Sequence, residues 1–334
     1  MNRRRFLLLA GATATGMAVA GPAVASRGRR RIYMVVPQQA TDTEIGFQEF
    51  LTRRNIEADF ILRPTHGDPS RIAAIIEEIK TVRPDLVYTW GTPTTLAIFG
   101  PYDGDPERYV MDIPGVFATV TDPIASRLVT DLDHPNRNVT GVVHLASLEV
   151  QLNTISAYRD IRSLGIIYNP HEENAVLTMK KLTELTAARG IQLLPEAVPI
   201  VDGKPNGDAI PHLVERIAKQ EADFLYIGPD TFVSVANGAR LTAAAIQHRL
   251  PTFSATESIV RRSNALVGLF SSAISIGRFS AFKAEQILVE GRSPREVPIE
   301  TLRRFSLLIN MRVARQIEVY PPIGLLSLAE VLTD

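Results

Sequence analysis

The chain of 334 residues contains no cysteine. That absence excludes a disulfide framework, a thiol nucleophile and a lipoprotein anchor, so stability has to come from buried apolar area. Tryptophan is reduced to a single residue, Trp90, and aromatic residues make up 7% of the whole. The six histidines, His66, His134, His144, His171, His212 and His248, are scattered, and none has a second histidine four residues away. A bound metal is therefore not expected. No P-loop, G-x-G-x-x-G turn or G-x-S-x-G elbow occurs, so an enzyme reading has no anchor and no cofactor is expected. Charge of one sign is not in excess either: 36 Lys and Arg stand against 36 Asp and Glu. Nucleic acid is not an expected partner, because phosphate binding needs a basic footprint.

The leader is the first feature that is present. Arg3-Arg4-Arg5 precede Phe6, an uncharged stretch from Leu7 to Ala20, and Ala23-Val24-Ala25. A basic start, a short apolar segment rich in Ala, Gly and Thr, and an A-x-A site read as a signal peptide over residues 1–25. The stretch is shorter than the roughly 20 apolar residues that cross a bilayer, and no later run is long enough. The order Arg3-Arg4-x-Phe6-Leu7 resembles the twin-arginine signal, and an ordinary secretion signal with an arginine-rich start accommodates the same residues. Either route takes the chain from Ser26 to the periplasm as a soluble, monomeric product. Without the leader's three arginines the balance becomes 33 basic against 36 acidic residues, mildly acidic.

After the leader, short β-rich apolar runs alternate with longer amphipathic stretches, the rhythm of a parallel α/β protein. The first half reads as strands at Ile32–Val36, Ala58–Leu62, Leu86–Thr89, Pro114–Thr119 and Val139–Val143. Helices fall at Glu44–Arg54 and Ser70–Val82, and a third opens at Thr92-Pro93. The second half repeats the pattern with strands at Leu164–Tyr168, Ile191–Ala197, Phe224–Ile227, Thr252–Ser254 and Leu266–Phe270. In the helix from Ser70, Ile72, Ile75, Ile76 and Ile79 share one face, while Arg71, Glu77, Glu78 and Lys80 occupy the other. A later helix from Ile276 to Glu290 stops at Gly291, with Pro294 beyond it. A chain of roughly 310 mature residues usually splits into two domains. The expected fold is α/β, two doubly wound parallel-sheet lobes.

In open parallel sheets, ligands bind beyond the carboxyl ends of strands, where loops and helix N-termini gather. Trp90-Gly91-Thr92-Pro93-Thr94-Thr95 is such a loop. Gly91 permits a tight turn, Pro93 suits the first helical position, and Thr92 reads either as a cap or as a ligand group, with Thr94 beside it. Trp90 reads as a stacking surface or as packing. Thr119, Thr121 and Asp122 leave the fourth strand, Asp122 either as a cap or as a ligand group. Asn169 to Asn174 follow the first strand of the second half, and Gly228-Pro229-Asp230-Thr231 follow another; Thr256 and Ser271 finish the rim. Glu172-Glu173 complement a helix dipole more simply than they serve as an acid–base pair. The candidate ligand-binding residues are thus Trp90, Thr92, Thr94, Thr119, Thr121, Asp122, Asn169, Asn174, Asp230, Thr231, Thr256 and Ser271. No catalytic or metal-ligating residue is assigned.

These loops, taken in order, resemble those of the ABC-transporter solute-binding proteins whose studied members include tryptophan- and tyrosine-binding receptors. The matching stretches are Pro84-Asp85-Leu86-Val87 with Gly91-Thr92-Pro93, Val116-Phe117 with Thr121-Asp122-Pro123, and Asn138-Val139-Thr140-Gly141. Gly165-Ile166-Ile167-Tyr168-Asn169-Pro170, Pro251-Thr252-Phe253, Ile309-Asn310 and Pro321-Pro322 continue the series. The resemblance implies a type I periplasmic-binding-protein fold, two lobes joined by a hinge that close on a small polar ligand, and a membrane permease that reads the closed form. It implies chain crossovers near Val142 to Ser147 and near Ser271 to Ser275. One lobe would hold residues 31–143 and about 273–298, the other 144–272, with the tail 299–334 unassigned. Two departures weigh against an amino-acid ligand: Ser271-Ser272 stand where many relatives carry Asp-Tyr, and Pro170 to Asn174 replace a serine-rich turn. Other readings are a sensor module that presents the same cleft to a membrane receptor or kinase, and an exported enzyme or cofactor-assembly accessory.

Overall fold

The computed structural model describes residues 28–333. The expected signal peptide over residues 1–25 lies outside the described residues. The first half runs β1 (Arg30–Val36), α1 (Asp42–Arg53), β2 (Ala58–Pro64), α2 (Ser70–Val82), β3 (Leu86–Trp90), α3 (Thr92–Phe99), β4 (Gly115–Val120) and β5 (Val139–Val143). The second continues with α4 (Leu148–Tyr158), β6 (Ser163–Tyr168), α5 (Glu173–Ala187), β7 (Gln192–Ala197), a hairpin of β8 (Ile200–Val201) and β9 (Lys204–Pro205), α6 (Ile210–Lys219), β10 (Phe224–Ile227), α7 (Gly238–Gln247), β11 (Thr252–Ser254), α8 (Glu257–Ser263) and β12 (Val267–Phe270). Then come α9 (Ala273–Leu288), β13 (Glu300–Thr301), β14 (Ser306–Asn310), α10 (Met311–Ile317), α11 (Ile323–Leu326) and β15 (Glu330–Leu332).

The two main sheets repeat one plan. The first is ordered β13-β5-β4-β3-β1-β2 and the second β15-β14-β12-β11-β10-β6-β7. Within each, five parallel strands take the doubly wound order, and apolar cores pack on both faces. Their central strands are buried on both sides, which is why they read as unbroken apolar runs: Ile32 through Val36 are all at most 1% exposed. On α2, Ile75, Ile76 and Ile79 are buried. Glu78 is not simply solvated as the face pattern implied; it accepts from the Tyr33 hydroxyl at 2.8 Å and pairs with Arg63.

The chain passes between the lobes three times. After β5 it enters α4 of the second lobe, and after β12 it returns as α9, which packs on α1 in the first. The third passage divides the tail that the sequence left unassigned. β13 pairs with β5 in the first sheet, whereas β14 pairs antiparallel with β12 and carries β15 beside it in the second.

Candidate functional site

Each sheet reverses its strand order once, between β1 and β3 in the first and between β6 and β10 in the second. Loops leaving the strands on either side of such a point depart to opposite faces and leave a crevice at the carboxyl ends. Both crevices open onto one cavity of about 350 Å³ between the lobes. Its walls take Thr41 to Thr43 from the loop after β1, Trp90 to Pro93 from the loop after β3, Asn174 from the segment after β6, and Pro229 and Asp230 from the loop after β10.

Local bonds fix the first-lobe wall. Thr41 caps α1, accepting from the Thr43 amide at 3.2 Å, while the Glu44 carboxylate accepts from the Thr41 amide at 2.7 Å. Glu44 is fully buried and takes the Tyr88 hydroxyl at 2.7 Å, which ties the helix start to β3. Gly91 stands at φ 81°, ψ 160°, a conformation open essentially to glycine alone. Thr92 is the first helical residue rather than a cap: its hydroxyl accepts from the Thr121 amide at 3.1 Å and so joins the loops after β3 and β4. Thr119 is held at φ 60°, where a β-branched side chain is strained, and β4–β5 pairing shifts register around it.

The second-lobe wall is built on two carboxyls. Asp230 is 3% exposed, its Oδ1 accepting from the Val233 amide at 2.7 Å and its Oδ2 from the Asn169 amide at 2.6 Å. Glu172 accepts from the Thr231 and Phe232 amides at 2.8 and 2.7 Å. Glu172 therefore clamps the loop after β6 to the loop after β10, a larger task than complementing its own helix. Burial first, and the Glu172 charge second, push the Asp230 pKa up to about 7.

Four residues that line the cavity each carry a buried polar atom without a hydrogen-bond partner in the protein: Trp90 Nε1, His144 Nδ1, Asn174 Oδ1 and Ser271 Oγ. Asn174, His144 and Ser271 are 4%, 7% and 3% exposed. Such orphans are rare, since each costs about 1–3 kcal/mol. Burial drives the His144 pKa down to about 4, against a hydrogen bond to the Val120 backbone. The ring is thus neutral at pH 7. The Asn174 amide donates to the Pro229 carbonyl, which leaves its oxygen free to accept.

Charges on the wall are matched. Arg261 binds Glu257 at 2.8 Å and both oxygens of Glu330 at 2.9 and 2.7 Å. Arg262 binds Asp42 at 3.0 Å. Both oxygens of Asp230 are occupied by amides.

Nine of the twelve residues expected from sequence line the cavity: Trp90, Thr92, Thr119, Thr121, Asn174, Asp230, Thr231, Thr256 and Ser271. Three do not. Thr94 is buried within α3, and Asn169 turns inward, its side-chain oxygen accepting from the His171 amide at 3.0 Å. Asp122 is a cap, accepting from the Ala125 amide at 2.9 Å, and pairs with Lys181 beside a second cavity next to the crossovers. His144, Asp42 and Glu257 were not singled out. The Thr41-x-x-Glu44 capping box places Asp42, but His144 follows β5 with no motif around it.

The family model for ABC transporter substrate binding proteins matches residues 32–331. A tyrosine-binding protein of Clostridioides difficile is 24% identical over 77% of this chain and 69% of its own length. Among solved structures, a conserved domain protein from Vibrio cholerae is 26% identical with a TM-score of 0.80, covering 91% of this chain and 99% of that one. An ABC domain from Streptococcus pneumoniae in complex with L-Trp is 20% identical with a TM-score of 0.76, over 90% and 100%. The architecture is the two-lobed type I periplasmic-binding-protein fold.

Proposed function

We propose, from the premise that this chain belongs to the ABC transporter substrate-binding protein family, that it captures one small polar molecule between its lobes outside the cytoplasmic membrane and delivers it to an ABC permease. The observation that carries the reading is one cavity of about 350 Å³ between the lobes, at the strand-order reversal of both sheets and lined by polar side chains of both. The cavity takes residues from both lobes, so a solute that bonds both walls favours the closed arrangement over any open one. Ligand-driven hinge closure requires that kind of differential binding.

Export through the leader fits this role. Among the described residues no helix is long and apolar enough to cross a membrane. The relatives that bind tyrosine and L-Trp set the scale of the solute, and a cavity of about 350 Å³ accommodates a molecule of that size.

The test is a thermal-shift panel of amino acids, nucleobases, carboxylates and sugars. A ligand at a hundred times its dissociation constant adds about 2.7 kcal/mol to the folded state. A shift confined to one solute class supports capture. Silence across the panel from well-folded protein counts against it.

A further inference from the structure

We propose that Thr119 is a specificity-determining residue of the solute cavity, carried out of the first lobe's core by a bulge in β4 and held at the cavity wall in a strained backbone conformation. This rests on the solute-binding reading and narrows it to the side chain that limits solute size. Along a regular strand, successive residues face opposite sides of the sheet. Val116 and Ala118 pack in the core on one face of the first sheet, and Phe117 packs in the core on the other. Regular alternation would put Thr119 with Phe117 and Val120 with Ala118. Val120 instead joins the core of Phe117, and Thr119 belongs to neither. Pairing with β5 marks the same slip: Phe117 lies opposite Gly141 but Val120 lies opposite Val143, so two residues of β4 face one of β5. The displaced Thr119 lines the interlobe cavity.

The bulge is firmly held. Thr119 sits at φ 60°, where a β-branched residue is strained and glycine is not. Its hydroxyl donates to the Ala118 carbonyl at 2.7 Å, and the Gly91 amide donates to the same oxygen at 2.9 Å, which fixes the bulge to the loop after β3. Gly141 makes room on the other side, because a Cβ there would stand 2.3 Å from the Phe117 carbonyl oxygen. A bulge with a residue in this conformation is ordinarily served by glycine. Strain of this kind gathers at ligand sites, where the surroundings over-determine it. What threonine adds over glycine is a side chain at the cavity, and at 8% exposure that side chain is a packed wall that sets how large a solute fits.

Thr119→Ala and Thr119→Gly test this by thermal unfolding of the free protein and by calorimetric titration with solutes paired by size: L-leucine and L-tryptophan, uracil and hypoxanthine, succinate and citrate, ribose and glucose. Both variants remove the hydroxyl and the methyl, so the difference between them reads the backbone. Within a regular strand glycine is less stable than alanine. Here Thr119→Gly should unfold roughly 1–3 °C above Thr119→Ala, which keeps a Cβ at positive φ. The reverse order overturns the strained bulge, and the proposal with it. In the pair that the wild type binds, both variants should move the affinity ratio toward the larger member by about tenfold, the lower end of what one methylene in a fitted pocket is worth. A ratio within about twofold of the wild type's, in variants that unfold cooperatively, overturns Thr119 as a determinant and leaves solute capture standing. A wild type that binds none of these compounds or of the wider panel removes both readings together.

Discussion

Arg262 of α8 donates to Asp42 of α1 at 3.0 Å, so an ion pair at the edge of the cavity ties the second lobe to the first. Lys181 of α5 and Asp122 after β4 make another tie across the lobes, beside the second cavity. The first pair lines the interlobe cavity and the second pair lines the other cavity. Neither is deeply buried: the side chains of Arg262 and Asp42 are 67% and 49% exposed. Pairs in that setting contribute about 0.2–1 kcal/mol each. Each is therefore a weak tie between the lobes.

Replacing Arg262 and Lys181 together by glutamine should speed ligand dissociation by about two- to thirtyfold, which follows from two exposed pairs of that strength. The basic partners are the ones to change, because Asp122 also caps the turn at Ala125. Stopped-flow fluorescence reads the rate, since Trp90 is the chain's single tryptophan and lines the cavity. The effect should shrink at 1 M salt, where the screening length is about 3 Å. Identical rates at low salt would remove the ties from any role in closure.

An unpaired buried hydroxyl is a liability in the free protein, so Ser271→Ala should raise unliganded stability by about 1 kcal/mol, the lower end of the cost of an unsatisfied buried group. The contrast is Thr140→Val. That hydroxyl is equally buried but donates to the Val297 carbonyl at 2.7 Å, and its loss should destabilise by about 1 kcal/mol. Urea midpoints for the two variants should move in opposite directions. A loss of stability in both would mean that Ser271 is already satisfied without solute.

Much of the framework was legible in the sequence because it is locally encoded. The strands Val139–Val143 and Phe224–Ile227 and the helix Ser70–Val82 are read to the residue. Parallel strands buried on both faces leave an unbroken apolar run, and α2 shows its buried isoleucines at helical spacing. What escaped is decided at long range. The five residues of β14 take their antiparallel place only because β12 is there to receive them, and the tail's division between lobes follows from that pairing. The cavity loops were found through the rule for strand ends. The fate of each side chain within them was not: Asp230 is held by the Asn169 amide, 61 residues away in sequence, while the Asn169 side chain is taken up by the His171 amide. His144 carries no local signal; its position matters because a crossover begins there.

Asp230 makes stability fall as pH rises. Its carboxyl titrates near 3.9 in an unfolded chain and about 7 in the fold, raised first by burial and then by Glu172. Between those values the folded state holds a proton that the unfolded state has released. The stabilising contribution is therefore complete below about pH 4 and is lost progressively as the pH climbs to about 7. Other carboxylates titrate in the opposite sense, so the readout is the difference from Asp230→Asn across pH 4 to 8. The wild type should lose ground against the variant over that interval. A constant difference would show that the proton is not held at Asp230.

Gly277 tests how the first lobe positions its wall. A Cβ on this residue would sit inside the Thr43 carbonyl oxygen and 2.8 Å from the Phe47 amide nitrogen, both backbone atoms of α1. No side-chain rotation relieves that contact, so Gly277→Ala must force α9 and α1 apart. Overpacking of this kind costs about 1–3 kcal/mol, and backbone on backbone belongs at the upper end. The start of α1 carries Thr41 and Asp42 to the cavity, so the same displacement should weaken solute binding and stretch the Asp42–Arg262 pair. Gly190 is the control: it has φ 67° with open space around it, and alanine there should cost about 1–2 kcal/mol from backbone strain alone and leave affinity untouched. Chemical denaturation and ligand titration on the two variants separate the cases. If Gly277→Ala lowered stability with no change in affinity, the α1–α9 contact would hold up the lobe without setting the geometry of its site.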